Sequence, residues 1–376
     1  MKHLKEATLA ISAVILLASC SQELIPDYEG TNQPDRISEL IGNFYQKVHN
    51  DTRTNGSGFT ITDISTKTYS LPDSVKSATR SEGIPENYDI QTVTVNFGET
   101  TGYVILSDTP ELDQIFYYTE AGCINDTTEI TPLKDLVENI PNIATSILID
   151  NTTSEYTRGT EINIQPLVRF EWDQRPPFNN YAAYCTCEKC SLYGNHMPIG
   201  CVTIAVGQTI ATLKKFNGTF YGNRDIDFDT FPNRGSQFTP SQSMGVAHFL
   251  QEIALTCQIK FGCDGSGTTL LAAARCLLDH GYKCDVIKGD LDKNRYIMNL
   301  QEGLPHLMRG ASNDGGHMWI LDGLVETDNN CMFHINWGWG YSKSSGWASD
   351  KYYVTNSGSS FGKNMQHLYL GGVRSN

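Results

Sequence analysis

Tryptophan and glycine are concentrated in one part of this chain, and that concentration restricts the folds open to it. All five tryptophans lie beyond residue 160, in the longer second part of the chain, at positions 172, 319, 337, 339 and 347. From His317 onward, short β-branched and aromatic runs alternate with glycine-containing turns. This pattern is typical of antiparallel strands joined by tight connections. Since tryptophan side chains bury large apolar areas, we expect the second half to be built around a sheet.

The length of 376 residues suggests two domains rather than one. Helical spacing of apolar residues predicts helices over 37–48, 131–149 (interrupted by Pro141), 201–216 and 268–280. Strands are predicted over 92–97, 102–107 and 114–119, while residues 50–88 favour loop and short strand. The polar run 151–160 is the best linker in the chain. The predicted fold class is therefore α+β: a small α+β domain, a linker near residue 158 and a second α+β domain.

The first twenty residues have the pattern of an export signal. A basic start is followed by an apolar run over 7–18, which is too short to span a bilayer and ends in small residues. The small residues Ala18 and Ser19 directly precede Cys20, and this arrangement resembles the lipobox of bacterial lipoproteins. We therefore expect a signal peptide over 1–19 and a lipid on Cys20, with residues 20–35 as a tether to the cell envelope, most naturally the outer membrane. A plain signal peptide with a chance cysteine is the alternative.

Charge excludes one class of partner. The formal net charge is −14, and no basic stripe is present to neutralise phosphates, so nucleic acid is not an expected partner. The sequence also has no phosphate-binding loop, no Asp-rich calcium loop and no HExxH pair, and we expect no cofactor and no catalytic metal.

Cys201 is the first candidate for chemistry. It follows Gly200 at the first turn of a predicted helix, where unpaired N–H groups and the helix dipole favour a thiolate. A buried or disulfide-bonded structural cysteine is the alternative for this residue considered alone.

His317 is the candidate base. It follows two glycines and begins an apolar strand, so it is either a core histidine or the imidazole that takes a thiol proton and later protonates a leaving amine. His334 is a second candidate, but its tryptophan-rich strand favours a core position.

Three further residues fit a site of this kind. Asn336, about twenty residues after His317 and on the next strand, is placed to orient the imidazole, and Trp337 beside it to shield that hydrogen bond from water. The order Cys, His, Asn matches the papain type of triad. Gln174, 27 residues before Cys201, is placed to form an oxyanion hole with the Cys201 backbone N–H.

At this point the chain resembles a known family, the streptopain family of cysteine peptidases in the papain superfamily. The matching segments are 172–174 with 178–180, 200–202, 262–268, 315–323 and 334–340, of which the last, HINWGWG, is the most distinctive. In the first half, 102–108 followed by 115–119 is similar to the propeptide of the family. The resemblance extends over roughly residues 35–374, loosely outside these motifs.

The resemblance implies a papain-like catalytic domain over 159–376, preceded by an inhibitory propeptide over 36–158. It implies an endopeptidase made as a zymogen, acting on protein substrates that include those of a host, as in virulence, and accepting a hydrophobic residue two positions before the cut. By position, the roles would be nucleophile for Cys201, base for His317, oxyanion-hole donor for Gln174, orientation and shielding for Asn336 and Trp337, and contact with substrate backbone for Gly316 and Ser266. The polar linker makes Arg158–Gly159 a candidate processing bond.

A cysteine cluster departs from the family pattern. Cys185, Cys187 and Cys190 lie in the loop before the nucleophile. Three alternatives stay open: disulfides that brace the loop, a metal clip with His196 as fourth ligand, or a redox switch that pairs with Cys201. Of the eleven cysteines, lipidation and a free nucleophile would use two, which leaves an odd number. At least one more cysteine would then be unpaired or metal-bound. Four more cysteines crowd one region and could pair among themselves: Cys257, Cys263, Cys276 and Cys284.

Two other functions are compatible with these residues. A Cys-His-Asn site also serves acyl transfer to an amine, and a non-enzymatic anchored binding protein on a peptidase scaffold is the alternative from another class. The presence of nucleophile, base, orienting residue and oxyanion donor argues against the second.

Overall fold

The structure is a computed structural model that describes residues 33–49, 58–72, 84–150, 162–218, 226–312, 315–326, 330–354 and 365–373. The predicted signal peptide, Cys20 with the tether up to residue 32, and the predicted processing bond Arg158–Gly159 lie outside these residues, whereas residues 33–35 of the predicted tether begin the first helix.

The first half of the chain consists of four strands in sequence, with one long helix before them and another after them. Its elements are α1 (Gln33–His49), β1 (Thr60–Ser70), β2 (Asn87–Asn96), β3 (Thr101–Ser107), β4 (Gln114–Thr119), a 3₁₀ helix (Ile124–Thr128) and α2 (Thr131–Asp150). The predicted helix over 37–48 and the three predicted strands are confirmed. The interruption predicted at Pro141 is wrong, because α2 runs through it. The buried Ile140 and Ile143 hold this turn against the core, and packing of that kind outweighs the cost of a proline.

The second half supplies the remaining strands and most of the helices. In order these are β5 (Asn163–Ile164), α3 (Cys201–Leu213), α4 (Pro240–Thr256), α5 (Leu270–Asp279), β6 (Tyr282–Lys288), α6 (Lys293–Gln301), β7 (His306–Ser312), β8 (Gly315–Glu326), β9 (Cys331–Asn336), β10 (Gly346–Ser349), α7 (Lys351–Val354) and β11 (Gln366–Val373). Short 3₁₀ helices lie at Glu188–Tyr193, Phe228–Thr230 and Gly235–Gln237. The predicted helices over 201–216 and 268–280 are confirmed, each within a few residues.

A single antiparallel sheet joins the two halves. Within the described ranges it has eleven strands, in the order β1-β2-β3-β4-β10-β9-β8-β7-β11-β6, with β5 paired to β8. The halves meet where β4 pairs with β10, with Tyr118 opposite Trp347. Gly346 permits this approach, because a Cβ there would collide with the carbonyl of Tyr118. The first half thus extends the sheet of the second half.

Residues 60–70 form a longer strand than the sequence predicted. Strand β1 has eleven residues and pairs along its length with β2. It lies at the edge of the sheet and most of its side chains are exposed, so its sequence has no apolar alternation from which a strand would be predicted.

The hydrophobic cores cross the boundary between the halves. On one face of the sheet, the apolar stripe of α1 packs on strands from both halves; its members are Ile37, Ile41, Phe44 and Val48, spaced for one helix face. On the other face, α2 shares a core with Trp319 and Trp337 of the second half. A third core surrounds α3, whose residues are buried on all sides from Cys201 to Ala211. Fold class α+β is confirmed. No helix in the part of the chain that the structure describes is both long and apolar enough to cross a membrane.

The shared core predicts that a cavity in α1 destabilises the second half. Ile41 is fully buried, whereas Ile64 on β1 is 37% exposed. We expect Ile41→Ala to lower the free energy of unfolding by about 2–5 kcal/mol. The matched variant Ile64→Ala should change it by less than about 1 kcal/mol.

Urea unfolding followed by tryptophan fluorescence measures this effect, since all five tryptophans lie in the second half. A shift of the far-ultraviolet circular-dichroism midpoint of the whole chain without a shift of the fluorescence midpoint would show that the halves unfold independently.

Candidate active site

Cys201 lies at the first residue of α3, beside the wall formed by residues 264–268. Gly200 precedes it as the N-cap, with φ of 95°, in the region that favours glycine. A Cβ at Gly200 would also lie 2.6 Å from the carbonyl oxygen of Ser266. Glycine is therefore required here, and it sets the thiol at the end of the helix where N–H groups have no partner within the helix.

His317 lies near the start of β8 and is buried. Its Nε2 is 2.8 Å from the backbone carbonyl oxygen of Trp337. A carbonyl oxygen only accepts, so Nε2 carries the proton, and Nδ1 is left as the nitrogen that interacts with the thiol of Cys201. The hydrogen bond to Trp337 thus fixes both the orientation and the tautomer of the imidazole.

The surroundings of Cys201 favour its thiolate. Burial by itself raises the pKa of the Cys201 thiol, because the charged form loses solvation. The charge and hydrogen bond of His317 lower this pKa, as do backbone hydrogen bonds from Met318 and Val202. The balance places the pKa of Cys201 below its ordinary value, as a nucleophilic thiol requires.

Both residues line one cleft of about 620 Å³. Gln174, Gly316 and Ser266 line the same cleft, so the structure brings these five predicted site residues together. Gln174 and Ser266 are largely buried, at 6% and 7% exposed, and Gln174 adjoins the Cys201 helix through a hydrogen bond from Ile199 N to its carbonyl.

Asn336 has a different position from the predicted one. It lies opposite Ile320 in the β8–β9 pairing. Its Nδ2 donates to the carbonyl of Phe170 at 2.8 Å, and its Oδ1 accepts from Gly338 N at 3.0 Å. Opposed residues in an antiparallel pair share a face of the sheet, and successive residues along a strand alternate between faces. Asn336 therefore shares a face with Ile320, whereas His317, three residues before Ile320 on β8, lies on the other face. Asn336 fixes the turn after β9, and the prediction that it bonds directly to His317 is wrong.

Trp337 contributes its backbone to the site, and other rings flank the imidazole. Its indole Nε1 donates to the hydroxyl of Tyr117 at 3.1 Å, inside the core shared with the first half. The rings stacked beside His317 are those of Trp319 and Trp339, with centroid distances of 6.2 and 6.0 Å. The predicted shielding by the Trp337 ring is therefore wrong, and Trp339 is the shielding residue that also lines the cleft.

His334, the second candidate for the base, lies away from Cys201. His334 Nδ1 bonds to the fully buried carboxylate of Asp322 at 2.6 Å, and His334 lines a different cavity from that of Cys201. Its predicted structural role agrees with this hydrogen bond.

The first half of the chain reaches the cleft. Glu129, Thr131 and Pro132 line it, and the segment 121–129 is bonded to the loop that follows Trp337. Asp126, 5% exposed, accepts from Ser344 Oγ at 2.6 Å and from Lys343 Nζ at 3.3 Å. These contacts have no signal in the sequence, because they join residues more than 200 positions apart.

Comparison with known proteins agrees with this geometry. Residues 172–353 match the profile of the Peptidase C10 family. The matched region contains Cys201, His317 and Gln174. Streptopain of Streptococcus pyogenes serotype M1 is 22% identical over 320 residues, which cover 70% of this chain and 79% of streptopain. The chain is a cysteine endopeptidase similar to streptopain.

Two further proteins are similar to this peptidase, one in sequence over part of its length and one in structure. The thiol protease/hemagglutinin PrtT of Porphyromonas gingivalis is 26% identical over 198 residues, covering 45% of the peptidase but 22% of PrtT. A structure of a prointerpain A fragment from Prevotella intermedia superposes with a TM-score of 0.55 at 17% identity, covering 83% of the peptidase and all of the fragment. That likeness supports the α+β fold over most of the peptidase.

The cysteines of the peptidase agree in part with the first of the three alternatives, a disulfide that braces the loop before the nucleophile. Cys185 and Cys190 form a disulfide, whereas Cys187, Cys201 and Cys263 are free thiols. The mutual disulfide pairing considered for Cys257, Cys263, Cys276 and Cys284 is wrong, because none of the four forms a disulfide. His196 is not the fourth member of the loop cluster, since its Nδ1 bonds to the carbonyl of Ala182 and the thiol of Cys263 takes that position.

Arg309 is a cleft residue of the peptidase that sequence reasoning missed. It lines the cleft, and its guanidinium would be 2.8 Å from a Cβ at Gly316. It reaches this position because β7 pairs with β8, with Arg309 opposite Met318. Only the strand register, which the sequence does not state, would have identified it.

The lowered pKa of Cys201 predicts its alkylation profile. In the intact peptidase, we expect iodoacetamide to label Cys201 with a rising limb at lower pH than an ordinary cysteine, whose pKa is about 8.5. His317→Ala removes the main group that lowers the pKa, while burial still raises it. The limb should therefore move to higher pH, as measured by mass spectrometry of the labelled peptide.

The matched control for that profile is His334→Ala, since His334 lines another cavity. We expect it to leave the Cys201 limb in place. An equal displacement in both variants would contradict the assignment of His317 as the partner of the thiol.

Proposed function

We propose that this endopeptidase is made as a zymogen, with Cys201 as nucleophile and His317 as general base and acid, and that the first half of the chain blocks its cleft until removed. The observation that carries the proposal is the buried Cys201–His317 pair at the end of α3, with Nε2 of His317 held by a backbone carbonyl. It lies in a cleft that residues of both halves line.

The first chemical step follows from this arrangement. Nδ1 of His317 holds the thiol proton, and the thiolate of Cys201 attacks the carbonyl carbon of the scissile peptide bond. The oxygen of that carbonyl becomes an oxyanion. The Cys201 N–H and the side-chain amide of Gln174 are the groups placed to donate hydrogen bonds to it.

The remaining steps regenerate the thiol. His317 gives its proton to the leaving amine as the carbon–nitrogen bond breaks, and a thioester to Cys201 remains. Water then attacks the thioester while His317 takes a proton from it. The acid product leaves, and the thiolate–imidazolium pair is restored. Throughout this cycle the Trp337 carbonyl stabilises the imidazolium, because its hydrogen bond opposes the positive charge.

Contacts between the halves support the inhibitory role of the first half. Glu129 lines the cleft and forms ion pairs with Arg175 at 3.4 Å and with Lys343 at 3.1 Å. Arg175 follows Gln174 directly, and Lys343 belongs to the loop after Trp337. The segment 121–129 is therefore bonded beside both the proposed oxyanion donor and the residue that holds His317, which is where a propeptide would restrict access of a substrate.

The remaining features of the proposal rest on the sequence. We propose domain limits of 36–158 for the propeptide and 159–376 for the catalytic domain, with cleavage at Arg158–Gly159. Export with a lipid on Cys20 follows from the signal pattern at the N-terminus. A preference for a hydrophobic residue two positions before the cut follows from the family resemblance, with Gly316 and Ser266 as contacts for substrate backbone.

Self-processing tests the nucleophile and the processing bond together. On incubation, the purified full chain should yield a stable product whose N-terminus lies between residues 155 and 168, and this product should hydrolyse casein. Cys201→Ala should abolish both activities, because no thiolate is left to attack. Cys284→Ser, which removes a thiol outside the cleft, should keep both. N-terminal sequencing and peptide masses provide the measurements.

The two claims fail separately. Casein hydrolysis by Cys201→Ala would refute the nucleophile, whereas a product that begins far from 155–168 would refute only the processing bond. Addition of an amine donor distinguishes hydrolysis from acyl transfer, since transfer products carry the mass of the amine.

The contacts of Asp126 predict the rate of processing. Hydrogen bonds to a buried carboxylate contribute about 1.5–3 kcal/mol each, and Asp126 accepts from Lys343 and Ser344. We expect Asp126→Ala to release the first half more readily and to accelerate processing about tenfold or more. The exposed Glu99 provides the control variant Glu99→Ala, with an unchanged rate. Gel densitometry over time measures both, and equal rates would contradict an inhibitory role for segment 121–129.

A further inference from the structure

Four cysteine sulfurs from two separate loops converge beside the cleft. Cys185, Cys187 and Cys190 belong to the loop before α3, and Cys263 to the loop after α4. The Sγ of Cys185 is 3.2 Å from that of Cys187 and 3.3 Å from that of Cys263, and Cys187 is 3.3 Å from Cys190. All four sulfurs lie within 4.8 Å of one another.

The local backbone is built to bring these sulfurs together. Cys187 is the N-cap of the 3₁₀ helix Glu188–Tyr193, and Cys190 N donates to the carbonyl of Cys187 at 3.0 Å. This Cys-x-x-Cys turn presents two sulfurs to the same side. Cys185 N donates to the carbonyl of Asn195, which returns the third sulfur to the turn. Cys263 then closes the group from the second loop.

We propose that these four cysteines bind a structural zinc ion when their thiols are reduced. Zinc is bound tetrahedrally by four thiolates at about 2.3 Å, which places sulfurs roughly 3.8 Å apart at the corners of the tetrahedron. Four sulfurs that all lie within 4.8 Å of one another meet this requirement after small side-chain adjustments. The Cys-x-x-Cys spacing of Cys187 and Cys190 is also one that occurs in structural zinc sites, and Cys185 and Cys263 supply the other two sulfurs here.

The disulfide in the structure is the competing state of the same sulfurs. Cys185 and Cys190 are joined, which uses two of the four, and the thiols of Cys187 and Cys263 lie against them. A disulfide offers no thiolate, so oxidation and zinc binding exclude each other at this site. Zinc binding to the reduced cluster displaces the four thiol protons into solvent and involves no electron transfer.

The ion would connect two walls of the cleft. Cys263 directly precedes the segment 264–268 that lines it, and Tyr193, which also lines it, follows Cys190 within the same 3₁₀ helix. An ion pair between Lys189 and Asp264 also connects the loop before α3 with the loop after α4, and its side chains are 68% and 79% exposed. An exposed pair contributes little, so a zinc–thiolate centre is the stronger connection. This inference does not depend on the proposed catalytic cycle.

Metal content of the reduced protein tests the proposal. The probe is the full chain carrying Cys201→Ala, so that zinc cannot bind the catalytic thiol. The protein is reduced with a phosphine in zinc-free buffer, given zinc chloride and freed of excess by gel filtration. We expect about one zinc per chain by inductively coupled plasma mass spectrometry. Cobalt(II) in place of zinc should give the visible and near-ultraviolet absorption bands of a tetrahedral thiolate site.

Variants assign the metal to the cluster. Adding Cys187→Ser and Cys263→Ser should reduce the retained zinc to less than about a fifth of one equivalent, whereas adding Cys284→Ser should leave it at one. Alkylation of the four cysteines in the chain with an unaltered cluster gives a test that does not depend on the folding of a variant. Zinc should slow this alkylation, and a chelator should restore its rate. The alkylation rate of Cys284 should change with neither.

Three outcomes would overturn the zinc site. They are a reduced chain that retains no zinc, zinc retention that survives the double substitution with no protection of the four thiols, and iron in place of zinc in the protein as purified under anaerobic conditions. Each is distinct from a failure of the peptidase activity, because none of the measurements uses a substrate.

Discussion

The pairing of β4 with β10 is the contact on which the rest of this structure depends. It makes the first half of the chain an extension of the sheet that carries the active site, and Gly346 allows the backbones to approach. From the same strand, Tyr117 donates to the carbonyl of Ser344 and accepts from the indole of Trp337. The backbone carbonyl of Trp337 in turn holds His317. A continuous set of hydrogen bonds therefore connects the proposed propeptide to the proposed base.

This connection gives the first half two effects on the site. It closes part of the cleft through Glu129 and its neighbours, and it packs around the residue that fixes the imidazole. Removal of the first half would expose the edge of β10 and the core face around Trp337, which is buried in the intact chain. Because unpaired edges and apolar faces are costly in water, these contacts favour the intact chain. The contacts of the proposed propeptide thus involve the sheet as well as the cleft.

Much of the fold and of the site is predictable from local patterns. The stripe Ile37, Ile41, Phe44 and Val48 predicts α1, and Gly200–Cys201 at the start of an apolar run predicts a thiol at a helix N-terminus; both are confirmed. Other features depend on partners. Strand β1 shows no apolar alternation because it lies at a sheet edge, and α2 continues through Pro141 because its neighbours are buried. In each case packing decided against the local preference.

The sequence by itself determined which chemical groups this peptidase has: a thiol after glycine, an imidazole after two glycines, and an amide in Gln174. Only the tertiary structure decided which of them meet. Strand alternation turned the side chain of Asn336 to Phe170 and left a backbone carbonyl, which no residue type announces, to hold His317. Likewise Cys263, rather than His196, completes the cysteine cluster. The physical reason is that register and loop closure join residues far apart in sequence, and neither is written in the local pattern.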